Sequence, residues 1–280
     1  MNQFLRGTQH NLSSIDILWG LTDQSPQEEI CEKAFQLISE CQYISVSMVS
    51  NGHPESRVID LQRLKDGRMI FITSKYKPFY QQLCKCPEIV ACLPIDTWFM
   101  IRVRAFVKEV SEDQAIRDEY FEANPGTKLM YRNNLSAVAF FVLEKGEGEM
   151  FHLYNSERVR RVRFGFGGLT PWPLTYSISY QCVGCGICQE NCAEQAIFKG
   201  SDGKYHISHM DCDDCGICYT KCPNAGTALL SRLEAYEEDK RNCDPVRFQP
   251  AVPTGRVSGH HYAQNCPGGG GEPGLGHLFF

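Results

Sequence analysis

The chain has 280 residues, 42% hydrophobic and 22% charged. That composition belongs to a globular protein with chain enough for about two domains, and it excludes global disorder. The 28 basic and 33 acidic residues sum to −5, too mild a balance for a broad nucleic-acid footprint, so no nucleic-acid partner is expected.

Ser25-Pro26-Gln27-Glu28 reads as a capping box with proline at the first helical position. Ile30, Ala34, Phe35 and Ile38 follow at helical spacing. From Tyr43 the period changes to two, with Ile44, Val46 and Met48 alternating with serines, and Asn51-Gly52 then signals a hairpin. The second strand is expected over 54–61, a tight turn at Asp66-Gly67 and a strand over 68–73. A short helix follows over 78–86, then strands over 88–93 and 98–110. Ser111-Glu112-Asp113-Gln114 caps another helix running to Ala123, and strands over 136–143 and 148–154 complete the set. Many strands, tight hairpins and few helices predict a small β-barrel.

The longest apolar run, 137–143, is far shorter than the roughly 20 residues of a membrane span. The first 14 residues hold no apolar core of the kind a secretory signal needs. A cytoplasmic chain with no membrane partner is expected. In that reducing compartment, regularly spaced cysteines point to metal or catalysis rather than to disulfides.

Eight of the 15 cysteines fall between 182 and 222. Cys182, Cys185, Cys188 and Cys192 form one set, and Cys212, Cys215, Cys218 and Cys222 form a second, each 30 positions after its counterpart. Both sets contain Cys-Gly-Ile-Cys, so this is an internal duplication. It resembles the bacterial ferredoxin pattern that carries two [4Fe–4S] clusters. A cubane needs four converging thiolates, of which one tight loop supplies three. In the two-cluster arrangement the fourth cysteine ligates the other cluster. Cluster one is thus expected on Cys182, Cys185, Cys188 and Cys222, and cluster two on Cys212, Cys215, Cys218 and Cys192. Ala193 stands where the pattern usually has proline, and the ligands are untouched. Zinc, which takes two separated Cys-x2-Cys pairs, leaves the third cysteine of each run unexplained. Cys31, Cys41, Cys84, Cys86, Cys92, Cys243 and Cys266 are expected to be small buried hydrophobes.

Arg57 shares a strand face with Glu55, Ile59 and Leu61, so it sits among apolar neighbours and needs a partner. Thr73, Ser74, Lys75 and Lys77 lead from a strand into a helix opened by Pro78. Arg57, Lys77 and the two hydroxyls can hold a phosphate monoester at that helix start. The plainer alternative is a snorkelling arginine beside a solvated loop.

The run 52–57, then Phe71-Ile72-Thr73-Ser74, Lys77, Leu83 and 87–91 look like the flavin-binding split barrel of the pyridoxamine-phosphate oxidase family. The match spans about 25–154. The whole chain is similar to proteins that fuse this barrel to a two-cluster ferredoxin. The resemblance implies FMN, its phosphate held by Arg57, Thr73, Ser74 and Lys75 or Lys77, beside Ile72, with the backbone at Val58 and Ile59 along the ring. It also implies a homodimer. Ala105 stands where the family often has glycine, and no residues for pyridoxine phosphate are recognisable.

The fold class implied is α+β: a split β-barrel followed by a small ferredoxin-like module. The expected domains are 1–155 for the barrel, 156–175 as a linker, 176–235 for the two-cluster module and 236–280 as a tail. Trp98, Met100, Arg102 and Arg104 form a candidate substrate wall or a solvated face. The basic run 157–163 is a docking strip for an acidic partner or a solvated linker. The expected function is an FMN-dependent reductase of a small molecule, fed by ferredoxin or flavodoxin. The alternative is an electron-transfer module serving a partner enzyme.

Overall fold

The alternation after Tyr43 folds as β1 (Tyr43–Ser50), which pairs antiparallel with β2 (His53–Asp60). Asn51 and Gly52 turn the chain between them with φ of 51° and 79°, the left-handed region that this turn requires. The computed structural model describes residues 18–41, 43–96, 99–152, 160–171 and 173–233. Trp98, Cys243, Cys266 and the 236–280 tail lie outside them.

Six further strands complete the curled antiparallel sheet: β3 (Gln62–Arg63), β4 (Met69–Ser74), β5 (Glu88–Asp96), β6 (Phe99–Glu109), β7 (Val138–His152) and β8 (Arg160–Phe166). Their order is β2-β1-β5-β6-β7-β4-β3, with β8 also on β7. β2 and β4 approach one another as the sheet curls. The first half of β7 pairs with β4 and the second half with β8, while β6 runs along its other side.

Two expectations change here. The strands expected over 136–143 and 148–154 are one strand, β7. Gly146 and Gly148 do not end it; they make room for aromatic rings, since a Cβ on Gly148 would lie 2.5 Å from Phe164 and one on Gly146 2.6 Å from Phe166. Within the stretch expected as a linker, 156–175, Arg160–Phe166 forms β8, so part of that stretch belongs to the sheet.

α1 (Gln27–Cys41) buries Ile30, Ala34, Phe35 and Ile38 on the inner face of the sheet. Phe35 meets Phe164 and Phe166 edge-on. Ser25 does not close the expected capping box, because its hydroxyl accepts from the Thr22 N–H at 3.0 Å. α2 (Pro78–Lys85) adds Phe79 and Leu83 to the same core. α3 (Gln114–Ala123), capped by Asp113 on the Ile116 N–H, covers the other face of β4 and β7. Residues 138–143 are therefore buried on both sides. The short α4 (Pro125–Met130) follows α3.

The remaining chain forms a small α+β module. Two antiparallel pairs, β9 (Tyr176–Ile178) with β12 (Leu229–Ser231) and β10 (Ile197–Lys199) with β11 (Tyr205–Ile207), frame α5 (Ile187–Glu190) and α6 (Ile217–Lys221). Its core is Tyr176, Cys188, Ile197, Tyr205, Cys218 and Leu229. Among the described residues no helix is long and apolar enough to cross a membrane.

Candidate redox site

Each cysteine run begins in a loop and ends in a short helix. Gly186 and Gly216 open α5 and α6 with φ of 86° and 78°, so the chain reverses sharply after the second cysteine of each run. Cys188 and Cys218 are buried at the first turns of these helices. One small cavity is lined by Cys212, Cys215, Cys218 and Cys192, with Ile197, Ile207 and Ile217 in its wall. The fold thus brings Cys192 from the first run to three cysteines of the second. N–H groups of Ala196 and Asp214 point at sulfur, donating to Cys192 Sγ at 3.3 Å and Cys212 Sγ at 3.4 Å. An apolar cavity, four converging thiols and N–H groups aimed at sulfur fit a cluster.

Burial governs these thiols. It pushes Cys212 up to about 12 and Cys218 to about 11, and raises Cys188 and Cys215. Binding iron must therefore displace protons. Elsewhere Cys31 is buried, Cys41, Cys86 and Cys92 are half-buried, and Cys84 is exposed, contrary to the expectation that all would be covered.

In the barrel, Arg57 lies beside the start of α2. Its guanidinium sits 4.1 Å over the Phe79 ring, and Phe79 stacks on Phe71 of β4. Glu55 holds one Arg57 nitrogen at 2.7 Å, and Gln82 Nε2 donates to the same oxygen at 2.8 Å. Thr73 and Ser74 are buried at the end of β4. They do not share a side: Thr73 is opposite Ala139 and faces the barrel core, whereas Ser74 is opposite Val138 and faces away. The Ser74 hydroxyl accepts from the Tyr76 N–H at 3.3 Å. Ile72, on the Ser74 side, packs against the α3 core, and Lys75 donates its N–H to Ala137 O. Lys77 caps α2 without a side-chain bond, leaving the helix start open.

β2 is a sheet edge, so of the consecutive residues Val58 and Ile59 one bonds to β1 and the other turns its backbone groups to a side that no strand covers among the described residues. Gln82 Oε1 is buried with no hydrogen-bond partner among the described residues. A free acceptor beside a guanidinium, an open helix start and an edge strand fit a ligand with a phosphate and hydroxyls, as FMN has. Phe79 and Gln82 were not legible as site residues, because a helical aromatic and a glutamine carry no motif.

A family model described as the 4Fe-4S dicluster domain matches residues 181–227. The matched segment lies within the small α+β module of residues 176–233. Comparison with curated proteins gave no match. Among solved structures, a NimC/NimA family protein from Clostridium acetobutylicum is 18% identical, covering 49% of this chain and 93% of its own, with a TM-score of 0.43. PhzG from Burkholderia lata, in complex with tetrahydrophenazine-1-carboxylic acid, is 15% identical, covering 54% and 93%, at 0.42. A pyridoxamine 5'-phosphate oxidase-related, FMN binding protein from Nostoc punctiforme is 13% identical, covering 50% and 97%, at 0.33.

The dicluster module is fastened to the barrel by β8. Arg163 pairs with Asp214 at 3.2 Å, Arg161 lies 3.6 Å from the same carboxylate, and Arg160 pairs with Asp211. Glu149 of β7 holds Arg102 at 2.6 Å and Arg161 at 3.4 Å. The Arg161 N–H donates to Met210 O, and Met210 packs on the barrel core. Within the basic run, Arg160, Arg161 and Arg163 are therefore neither a solvated linker nor a free docking strip, because they bind inside the chain, while 157–159 lie outside the described residues. Of the expected substrate wall, Arg102 and Arg104 line a cavity of about 480 Å³ between the sheet and the module, and Met100 lies opposite Phe151.

Proposed function

We propose that this chain is an FMN-dependent iron–sulfur oxidoreductase, cytoplasmic and homodimeric. It takes electrons from ferredoxin or flavodoxin at two [4Fe–4S] clusters and uses them, at bound FMN, to reduce a small molecule. Clusters exchange single electrons and a flavin one or two, so together they couple a one-electron donor to a two-electron acceptor. Cys182, Cys185, Cys188 and Cys222 hold cluster one. Cys212, Cys215, Cys218 and Cys192 hold cluster two.

For FMN, Arg57, Lys77 and the open start of α2 hold the phosphate, with Thr73 at the end of β4. The edge of β2 at Val58 and Ile59 lies along the ring, and Gln82 accepts from a hydroxyl. Glu55 fixes the guanidinium from one side and leaves its other donors for phosphate. Support for a dimer comes from the outer face of the β1–β2 hairpin. Ser45, Ser47, Val49, Ser56 and Val58 carry no charge there, and Val58 is 69% exposed.

The observation that carries the reading is the arginine clamp of β8, which holds the loop of the second cysteine run against the barrel. The test is an anaerobic absorbance spectrum with iron, sulfide and flavin counts. About eight iron, eight sulfide and one FMN per chain are expected. Iron without flavin would sink the reductase reading. Full cofactors without turnover of any screened substrate would favour an electron-transfer module instead.

A further inference from the structure

The two cysteine runs are copies, yet their loops differ just before the first ligand and between the first two. Tyr180, Gln181, Val183 and Gly184 in the first run correspond, 30 positions on, to Met210, Asp211, Asp213 and Asp214 in the second. The second loop has three carboxylates where the first has none. Two of them, Asp211 and Asp214, meet the β8 arginines. Met210 is packed against the barrel core.

The first loop faces outward. Tyr180 is 79% exposed, Val183 is 70% exposed, and Cys185 is exposed as well. The hydrogen bonds of this segment stay inside the module: Ser179 Oγ donates to Thr227 O, Ser179 N to Ala228 O, and Lys204 Nζ to Tyr180 O. An exposed aromatic and an aliphatic side chain beside ligand cysteines form an apolar contact patch, edged by the Lys204 ammonium at Tyr180 O.

We propose that this patch, Tyr180 and Val183 beside Cys182 and Cys185, is the docking surface for a one-electron carrier protein, and that the aspartate-bearing loop is the barrel-facing end of the module. This rests on the electron-accepting reading above. The duplication has diverged by address: one loop acquired carboxylates for the barrel, and the other kept an uncharged surface for a visiting protein. The equivalent positions of the second loop, Met210, Asp211, Asp213 and Asp214, are half-buried, three of them in contact with the barrel, while Cys215 stays exposed. The transfer balances as a single electron: the reduced carrier is oxidised by one electron, the chain is reduced by one, and no bond forms or breaks.

The test follows cluster bleaching in the full-length holoprotein by anaerobic stopped flow, with dithionite or a reduced two-cluster ferredoxin as reductant. Val183→Glu and Tyr180→Glu, made separately and together and each checked for iron content, place charge in the patch. The double variant is expected to slow ferredoxin-driven bleaching by about tenfold or more, the loss of an interface anchor, while the dithionite rate stays at the wild-type value. Met130→Glu, at a comparably exposed apolar side chain on the barrel, is expected to leave both rates unchanged. Wild-type ferredoxin rates in the double variant, or equal slowing in Met130→Glu, would overturn the assignment. A wild-type chain bleached by dithionite but not by ferredoxin would overturn both this and the donor reading. Normal ferredoxin-driven bleaching in a chain without FMN would overturn the flavin reading alone.

Discussion

Asp214 stands two residues after Cys212, and its carboxylate lies 3.2 Å from Arg163 on a barrel strand. A residue adjacent to a ligand of one module is thus an ion-pair partner of the other. Its second oxygen accepts from the Thr175 N–H at 3.0 Å, which also ties down the chain entering the module. Removing it leaves Arg161 and Arg163, both largely buried, with Glu149 as their remaining carboxylate partner. Asp214→Asn is expected to weaken the docking of the module by about 2–4 kcal/mol, the cost of stranding a largely buried charge. Limited proteolysis should then cut within 167–173 while the barrel core stays resistant. Arg163→Ala combined with Asp214→Asn should cost less than the sum of the two single changes.

The crossing of the fourth cysteines has a direct test in iron counts. If Cys192 completes the second run, Cys192→Ser with Cys212→Ser damages one cluster and leaves about four iron per chain. Cys192→Ser with Cys182→Ser damages both and leaves almost none. Uncrossed ligation would exchange the two results.

Arg57→Ala is expected to weaken FMN binding by about 10–100-fold, the loss of one charge-assisted bond to phosphate, without changing the iron count. Fluorescence titration of flavin into the depleted protein measures this. Arg57→Lys should fall between, since it keeps the charge and loses both the fork and the plane stacked on Phe79.

Asp60 supplies a pH test. Burial raises its carboxyl above the usual range, against a lowering hydrogen bond from Gln62, and its Oδ1 is buried with no partner among the described residues. The folded chain then holds this proton more tightly than the unfolded chain. The group favours folding at acid pH, and that contribution is lost as pH rises through the carboxylate range. Asp60→Asn is expected to be more stable than wild type at pH 8 by about 1 kcal/mol or less. The gap should be smaller at pH 5, as read by denaturant unfolding at the two values.

Local signals carried the elements whose period was clean. The β1–β2 hairpin follows from alternation and Asn51-Gly52, and the duplicated loops from cysteine spacing alone. What failed was non-local. The break expected between 143 and 148 is absent, because the space above Gly146 and Gly148 is filled by Phe166 and Phe164, which come from a later strand. The arginines of β8 read as a docking strip or a solvated linker because their partners, Asp211 and Asp214, lie about 50 residues further on. In the barrel site, Arg57 was legible as a buried cation needing a partner, whereas Glu55 as that partner and Gln82 beyond it are facts of packing.

The two cysteine runs also lean on each other through glycine. A Cβ on Gly216 would lie 2.5 Å from the hydroxyl of Tyr176, which precedes the first run, and one on Gly186 would lie 3.1 Å from that of Tyr205, which precedes the second. Each half therefore lends its counterpart a tyrosine floor. Neither half has a complete interior alone, so a lone half would be a fragment rather than a smaller domain. A single ancestral repeat of this design would have had to close on a second copy of itself, and joining the copies in one chain freed each loop to take a different neighbour.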